Sequence, residues 1–271
     1  MNLSDPRYVK DQYRASNNLE ARIGLHERFS TAKQKWFEWY WDHFDLPTDA
    51  RILEIGCGTG MLWRDNRGRI PLTWCLTLSD FSLGMIETTR AANVRADFLA
   101  SDAQAIPFRD HYFDAVIANH MLYHVPDVPR ALVEIRRVLK PSGKFYAATN
   151  GDLHLRELKI MISDFLDAGV TPLLNVNVSK HFSLENGAEQ LAQVFASVKR
   201  FDFDDALVVT EVEPLVAYIM SGFMGKQLLD PERKEALRQF IAERMSRDGA
   251  IRITKSTGLF IATNQATTRY S

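Results

Sequence analysis

No stretch of this 271-residue chain approaches the roughly 20 consecutive apolar residues that a helix needs to cross a bilayer, so membrane insertion is not expected. The first ten residues carry Asp5, Arg7 and Lys10 and lack the apolar stretch of a secretion signal, which points to a cytoplasmic location. Cysteine is scarce. Cys57 and Cys75 are the only two, too few to staple a chain of this size and without metal-ligand spacing, so a disulfide framework is excluded and no metal is expected. An excess of one charge is missing as well: 33 Lys and Arg stand against 34 Asp and Glu, a formal charge of -1. No global basic field points to nucleic acid or an anionic surface, and a small neutral partner is the expectation. Internal repeats and low-complexity linkers are also lacking. What remains is an ordinary globular composition, 46% hydrophobic and 25% charged. The length suits one α/β domain of about 200 to 250 residues or two smaller ones. A homo-oligomer stays open.

The first 46 residues read as two or three aromatic-rich helices, with no proline between Pro6 and Pro47. After Pro47 short apolar runs alternate with amphipathic stretches. Strands are expected at 51–55, 72–78, 94–99, 113–118 and 144–149, and helices at 59–66, 82–91 and 128–139. Such alternation means a parallel sheet with helices on both faces. Beyond Asn150 the pattern loosens: helices near 152–167, 184–195, 214–220 and 231–247, and strands at 198–210 and 251–263. One sheet taking its last two strands from this region is more economical than a second domain.

The informative segment is a strand running into Gly56, Gly58 and Gly60 and then a helix. Glycine is needed where backbone turns sharply and approaches a ligand, and the following helix offers free amides and a positive dipole end. A dinucleotide fingerprint would need a small residue at 61, where Met61 stands, and the phosphate-binding lysine of a P-loop is missing. An acid, Glu54, precedes the glycines. A second strand ends in Asp80, followed by Phe81 and Met85; a carboxylate there can hold ribose hydroxyls or cap a helix. Further on come Asp102 and Ala103, the run Phe113 to Asp127 that contains Asn119, His120, Tyr123 and His124, and then Pro141, Ser142 and Gly143.

This ordered set, over residues 51–149, resembles the motifs of class I S-adenosylmethionine-dependent methyltransferases. The subgroup is that of ubiquinone and menaquinone biosynthesis and many natural-product enzymes. The resemblance implies a Rossmann-like, seven-stranded, mostly parallel sheet with an N-terminal helical cap or lid at 1–46. The methyltransferase domain is then 47–271, with substrate-pocket helices within 151–250. It implies S-adenosylmethionine as cofactor, leaving as S-adenosylhomocysteine. Glu54, Gly56, Cys57, Gly58 and Gly60 would form its turn; Asp80 and Phe81 would meet the ribose, Met85 the adenine face, Asp102 and Ala103 the adenine edge, and Asn119 the end of the fourth strand.

The sulfonium is already a strong electrophile, so alignment and exclusion of water suffice and a base is optional. At the fourth strand end Asn119, His120, Met121 and Leu122 depart from the Asn/Asp-Pro-Pro-aromatic pattern of nucleobase and protein-amide enzymes, and no carboxylate stands there for the metal of a catechol type. A small acceptor is therefore expected, aromatic or polycyclic, methylated on carbon, nitrogen or oxygen. His120, His124 and Tyr13 are the candidate catalytic residues; histidine titrates near neutral pH and could remove a proton. Tyr8, His26, Phe29, Trp36 and Trp39 are further rim candidates. Met161, Phe165, Phe182, Met220, Phe223 and Met224 could line the acceptor pocket or pack the core. Two rivals stay open: a nicotinamide-dependent oxidoreductase, and a non-catalytic cofactor-binding scaffold.

Overall fold

The computed structural model of the chain describes residues 16–166, 178–221 and 230–264. Two helices come first, α1 (Ser16–Phe29) and α2 (Trp36–Trp41). The alternating region follows as β1 (Arg51–Ile55), α3 (Met61–Asp65), β2 (Cys75–Asp80), α4 (Leu83–Ala91), β3 (Asp97–Ala100), β4 (Phe113–Asn119), α5 (Val128–Val138) and β5 (Leu139–Asn150). After it come α6 (Arg156–Leu166), α7 (Gly187–Ala192), β6 (Ser197–Phe203), β7 (Ala206–Val209), α8 (Val212–Ser221), α9 (Pro231–Asp248), β8 (Ile251–Thr254) and β9 (Thr257–Thr263). Among the described residues no helix is long and apolar enough to cross a membrane.

Seven strands form one sheet in the order β3-β2-β1-β4-β5-β9-β6. Neighbours are parallel as far as β5, and β9 runs antiparallel to both β5 and β6. This is the Rossmann-like, mostly parallel architecture that the alternation implies. Successive side chains of a strand point to opposite faces, so each central strand feeds two cores. Leu53, Phe145 and Ala147 join the core covered by α5, whose Val128, Ala131, Leu132, Ile135 and Val138 make one apolar stripe. Ile52, Tyr146 and Ala148 face the other core, which α2, α3 and α4 close with Tyr40, Trp41, Trp63 and Ile86.

The two long strands expected late in the chain are each broken. The ribbon leaves the main sheet at the pair Phe203 and Thr257 and re-forms as a separate two-stranded sheet, β7 with β8, from the pair Ala206 and Thr254. Asp205 and Lys255 meet at the joint as an ion pair whose side chains are 1% and 11% exposed. The other oxygen of Asp205 accepts from the Ser30 hydroxyl at 2.7 Å and the Thr31 amide at 3.1 Å, fastening the end of α1 to the ribbon. A third core gathers there: Leu25 and Phe29 of α1, Met161 and Ile162 of α6, Leu207 and Ile253 of the small sheet, and Leu237, Ile241 and Met245 of α9. The described part of 1–46 is thus divided, α1 against the small sheet and α2 against the large one.

Removing one partner of a buried ion pair strands the other charge, at about 3 to 5 kcal/mol. We expect Asp205→Ala to lower the unfolding free energy measured by urea denaturation by an amount in that range, and Asp205→Ala with Lys255→Met to recover much of it. Equal midpoints for wild type and Asp205→Ala would show that the joint does not depend on the pair.

Candidate functional site

At the C-terminal edge of β1 the backbone turns through Gly56, Gly58 and Gly60, with φ of 68°, 55° and 70°. Two of these glycines are required for different reasons. A Cβ on Gly56 would stand 2.7 Å from the Cβ of Met121, so the neighbouring loop excludes it. A Cβ on Gly58 would meet no protein atom within 4 Å; its left-handed φ holds the peptide against open space. The Cys57 amide donates to the Ser79 carbonyl at 2.9 Å. Asp80 accepts from the Gly58 amide at 3.0 Å and the Ser82 amide at 2.8 Å. The end of β2 thereby clamps the turn at the end of β1. Two of the roughly four acceptor positions on that carboxylate remain for a ligand.

The turn opens on a cavity of about 450 Å³, within the size range of small-molecule sites. All but one of the cofactor-binding candidates line it: Glu54, Gly56, Cys57, Gly58, Asp80, Phe81, Met85, Asp102, Ala103 and Asn119, whereas Gly60 caps the adjoining α3 and is not in the wall. They do not contribute alike. The Glu54 carboxyl is buried and accepts the Trp63 indole N–H at 2.6 Å, and burial pushes it up to about 8. It is held as a neutral acid that joins β1 to α3. The Cys57 thiol is buried beside the Thr89 hydroxyl at 3.7 Å, and burial raises it well above its ordinary range. Phe81 is 60% exposed at the rim. Desolvation also raises Asp80, outweighing the Ser82, Gly58 and Phe81 amides that favour its anion. Asp102 is held by the Gln104 amide at 2.9 Å. The Oδ1 of Asn119 is buried with no hydrogen-bond partner among the described residues.

His120 follows β4 with φ 54°, a strained value for a non-glycine residue, and its amide donates to the Ala148 carbonyl at 3.0 Å. Its ring lies 5.3 Å from Trp36, and both His120 and His124 line the cavity. Burial lowers each of the two to about 4. The expectation of a histidine titrating near neutrality is corrected: desolvation makes both weak bases. Tyr8, Tyr13, Phe223 and Met224 lie outside the described residues. Phe182 is buried in the core under α5 and Met161 in the third core, against which the partly buried Phe165 and Met220 also pack. Sequence reasoning missed Phe37, which lines the cavity, and His154, Phe203, Asp205 and Lys255, which carry no local motif.

Residues 53–147, from β1 into β5, match a family model described as a methyltransferase domain. A demethylmenaquinone methyltransferase of Renibacterium salmoninarum is 33% identical over 115 residues, 42% of this chain and 47% of the relative. A malonyl-[acyl-carrier protein] O-methyltransferase of Erwinia pyrifoliae is 35% identical over 117 residues, 43% of this chain and 44% of the relative. The chain spans about half the length of these curated relatives. A chain from the complex between the Haloferax volcanii Trm112 methyltransferase activator and a methyltransferase shares the fold, with TM-score 0.59 over 97% of this chain and 100% of that one at 18% identity. Residues 53–147 are thus similar to a methyltransferase domain. A ubiquinone/menaquinone biosynthesis C-methyltransferase of Chromobacterium violaceum is 35% identical over 115 residues, 39% of this chain and 47% of the relative.

The buried titrating groups give stability a pH optimum. His26, His120 and His124 have folded values near 4 against an ordinary 6.5, so the unfolded chain binds more protons between those limits and stability is lost as pH falls through them. Glu54, near 8 against an ordinary 4.5, acts oppositely: the folded protein holds the extra proton, and stability is lost as pH rises toward 8. Between about 4.5 and 6.5 the histidines outnumber it. Calorimetry of the ligand-free protein should find the highest Tm near pH 6.5; a Tm that climbs steadily toward pH 5 would contradict these burial effects.

Proposed function

We propose that the protein transfers a methyl group from S-adenosylmethionine to a small-molecule acceptor, aromatic or polycyclic, by in-line displacement at carbon, nitrogen or oxygen. The observation that carries this reading is Gly58: a residue held at positive φ with no protein atom in front of it, its amide tied to Asp80, in the wall of the cavity. The cofactor fits this cradle. The free acceptor positions of Asp80 suit ribose hydroxyls, Met85 offers an apolar face to adenine, Asp102 and Ala103 the adenine edge, and the unpaired Asn119 oxygen can take a donor from the amino-acid end. When bound, the cofactor supplies a methyl group on a positively charged sulfur.

This chain's residues then orient and dry the site. His120, neutral and a weak base, is assigned to positioning the acceptor rather than removing its proton, with His124 beside it and Tyr13 as a further contact. Acceptor choice lies outside the shared segment. The two relatives are named for a demethylmenaquinone and for a malonyl group on a carrier protein, different acceptors, and each matches less than half of this chain. We assign specificity here to α1, α2 and the region after Asn150.

Titration calorimetry with S-adenosylhomocysteine and with NAD tests the cofactor. One-to-one binding of the former and none of the latter is expected; the reverse would favour the oxidoreductase. Gly58→Val should abolish binding, because a β-branched residue strains the left-handed turn and its added carbons enter ligand space, and Gly58→Ala, with the smaller addition, should weaken it less. Asp80→Ala should cost about 2 to 3 kcal/mol of affinity, the loss of two bonds to a charged acceptor. For His120→Ala, single-turnover methyl transfer to a responding acceptor should slow about 10-fold, the worth of one buried hydrogen bond. A wild-type rate would remove His120 from the mechanism.

A further inference from the structure

The stretch that follows β3, residues 101–108, is fastened to α5 through its backbone. The Arg130 guanidinium donates to the Gln104 carbonyl at 3.0 Å, and the Ile106 amide donates to the Glu134 carboxylate at 2.9 Å. Arg137 donates to the carbonyls of Ile106 and Phe108 at 2.9 Å and 2.7 Å. The same stretch lines the cavity with Ser101, Asp102, Ala103 and Gln104. There the Gln104 side chain lies on the Asp102 carboxylate: its Nε2 donates to Oδ1 at 3.0 Å and to Oδ2 at 3.1 Å, and the Gln104 backbone amide donates to Oδ1 at 2.9 Å. The Gln104 Oε1 accepts the amide of Asp127, the residue that caps α5, at 3.2 Å. The carboxamide is thus anchored at one end and grips the carboxylate with the other. Among the described residues these contacts take three of the roughly four acceptor positions of Asp102, and the one that is left lies on Oδ2.

Building on the methyl-transfer reading above, which brings the cofactor's adenine to Asp102, we propose that Gln104 is a positioning residue for recognition of the base. It holds the Asp102 carboxylate in one orientation, so that the remaining lone pair of Oδ2 meets the exocyclic amine. The ties to Arg130, Glu134 and Arg137 run through main-chain atoms, so this stretch of backbone is braced without the Gln104 side chain. What the side chain adds is control of the carboxylate. Asp102 is only half-buried, and the last torsion of an aspartate is otherwise broad. A held carboxylate reads the base by its donors: an amine donates to it, whereas a carbonyl oxygen at the same ring position sets lone pair against lone pair. Hypoxanthine carries that carbonyl, and an N–H on the adjacent ring nitrogen. A carboxylate released from Gln104 can turn toward this N–H, so the grip governs discrimination between the two bases more than affinity for either.

The full-length protein can be titrated calorimetrically with S-adenosylhomocysteine and with S-inosylhomocysteine, in which a carbonyl oxygen replaces the amine. The wild type should bind the former at least about 10-fold more tightly, as expected for one hydrogen bond to a charged acceptor. Gln104→Met removes the amide at similar length; Gln104→Glu keeps an oxygen for the Asp127 amide and loses the donor to Asp102. Each should lower the ratio of the two affinities by about 5-fold, the effect of releasing one held side chain, with a melting temperature near that of the wild type. The charge added by Gln104→Glu acts on both ligands alike, so the ratio is the readout. A wild-type ratio in Gln104→Glu, with the loss confined to Gln104→Met, assigns the side chain to bracing Asp127 and overturns the proposal. Tighter binding of S-adenosylhomocysteine by Gln104→Met also overturns it, because the carboxamide would then occupy the place of the base. Equal affinity of the wild type for the two ligands removes amine recognition altogether. Should the wild type bind neither, the methyl-transfer reading falls and the role of Gln104 with it; tight S-adenosylhomocysteine binding with unaltered ratios in both variants leaves that reading standing and strikes Gln104 alone.

Discussion

Where the ribbon of late strands leaves the main sheet, Asp205 and Lys255 form an ion pair inside the protein, and the architecture around the site follows from that joint. A two-stranded ribbon continuing straight would simply lengthen the sheet. Bent, it leaves a small sheet standing over the C-terminal ends of the strands, and α1, α6, α8 and α9 pack on it to make a third core. Asp205 reaches further still. By accepting from Ser30 and Thr31 it ties the end of α1 to the joint, which places His26 near His120 and His154. Ligands of open α/β sheets sit beyond the carboxyl ends of the strands. In this protein that space is walled by the glycine turn, the end of β2, the segment after β4 and Phe37 of α2.

Two kinds of electrostatics share the site. Around the turn, backbone amides converge on Asp80 and keep an anion available despite desolvation. One residue deeper, Glu54 is held protonated by burial and serves as a neutral link to Trp63. Around His120 the same burial removes charge from the imidazoles. The glycine-turn side of the site therefore gathers backbone amides on a carboxylate, whereas the His120 side is uncharged and aromatic. Methyl transfer from a sulfonium needs alignment and dryness more than proton chemistry. An uncharged, enclosed histidine in a strained backbone conformation suits the first requirement better than the role of base.

The strand-turn-helix at Gly56 to Gly60, the carboxylate ending β2, the apolar stripe of α5 and the alternation from β1 to β5 were all legible in the sequence. Each depends on residues near in the chain: period, turn chemistry and strand-end position are local properties. Even there the roles were uneven. The sequence placed Glu54 and Cys57 in the cofactor turn without revealing that their side chains serve packing.

What only the tertiary structure decided concerns partners distant in sequence. The breaks at Asp204 and Asp205 and at Lys255 and Ser256 lie within runs of strand-like residues, and nothing local marks them as a joint; the ion pair that stabilises the bend, and the Ser30 contact 175 residues away, exist only once the chain is folded. The meeting of His26, His120, His154 and Trp36 is of the same kind. So is the fall of His120 to about 4, because desolvation depends on everything packed around a group and not on its neighbours in the chain. The sequence by itself determined the cofactor cradle, since a turn and a strand end suffice to build it; the His120 side required topology to bring its walls together.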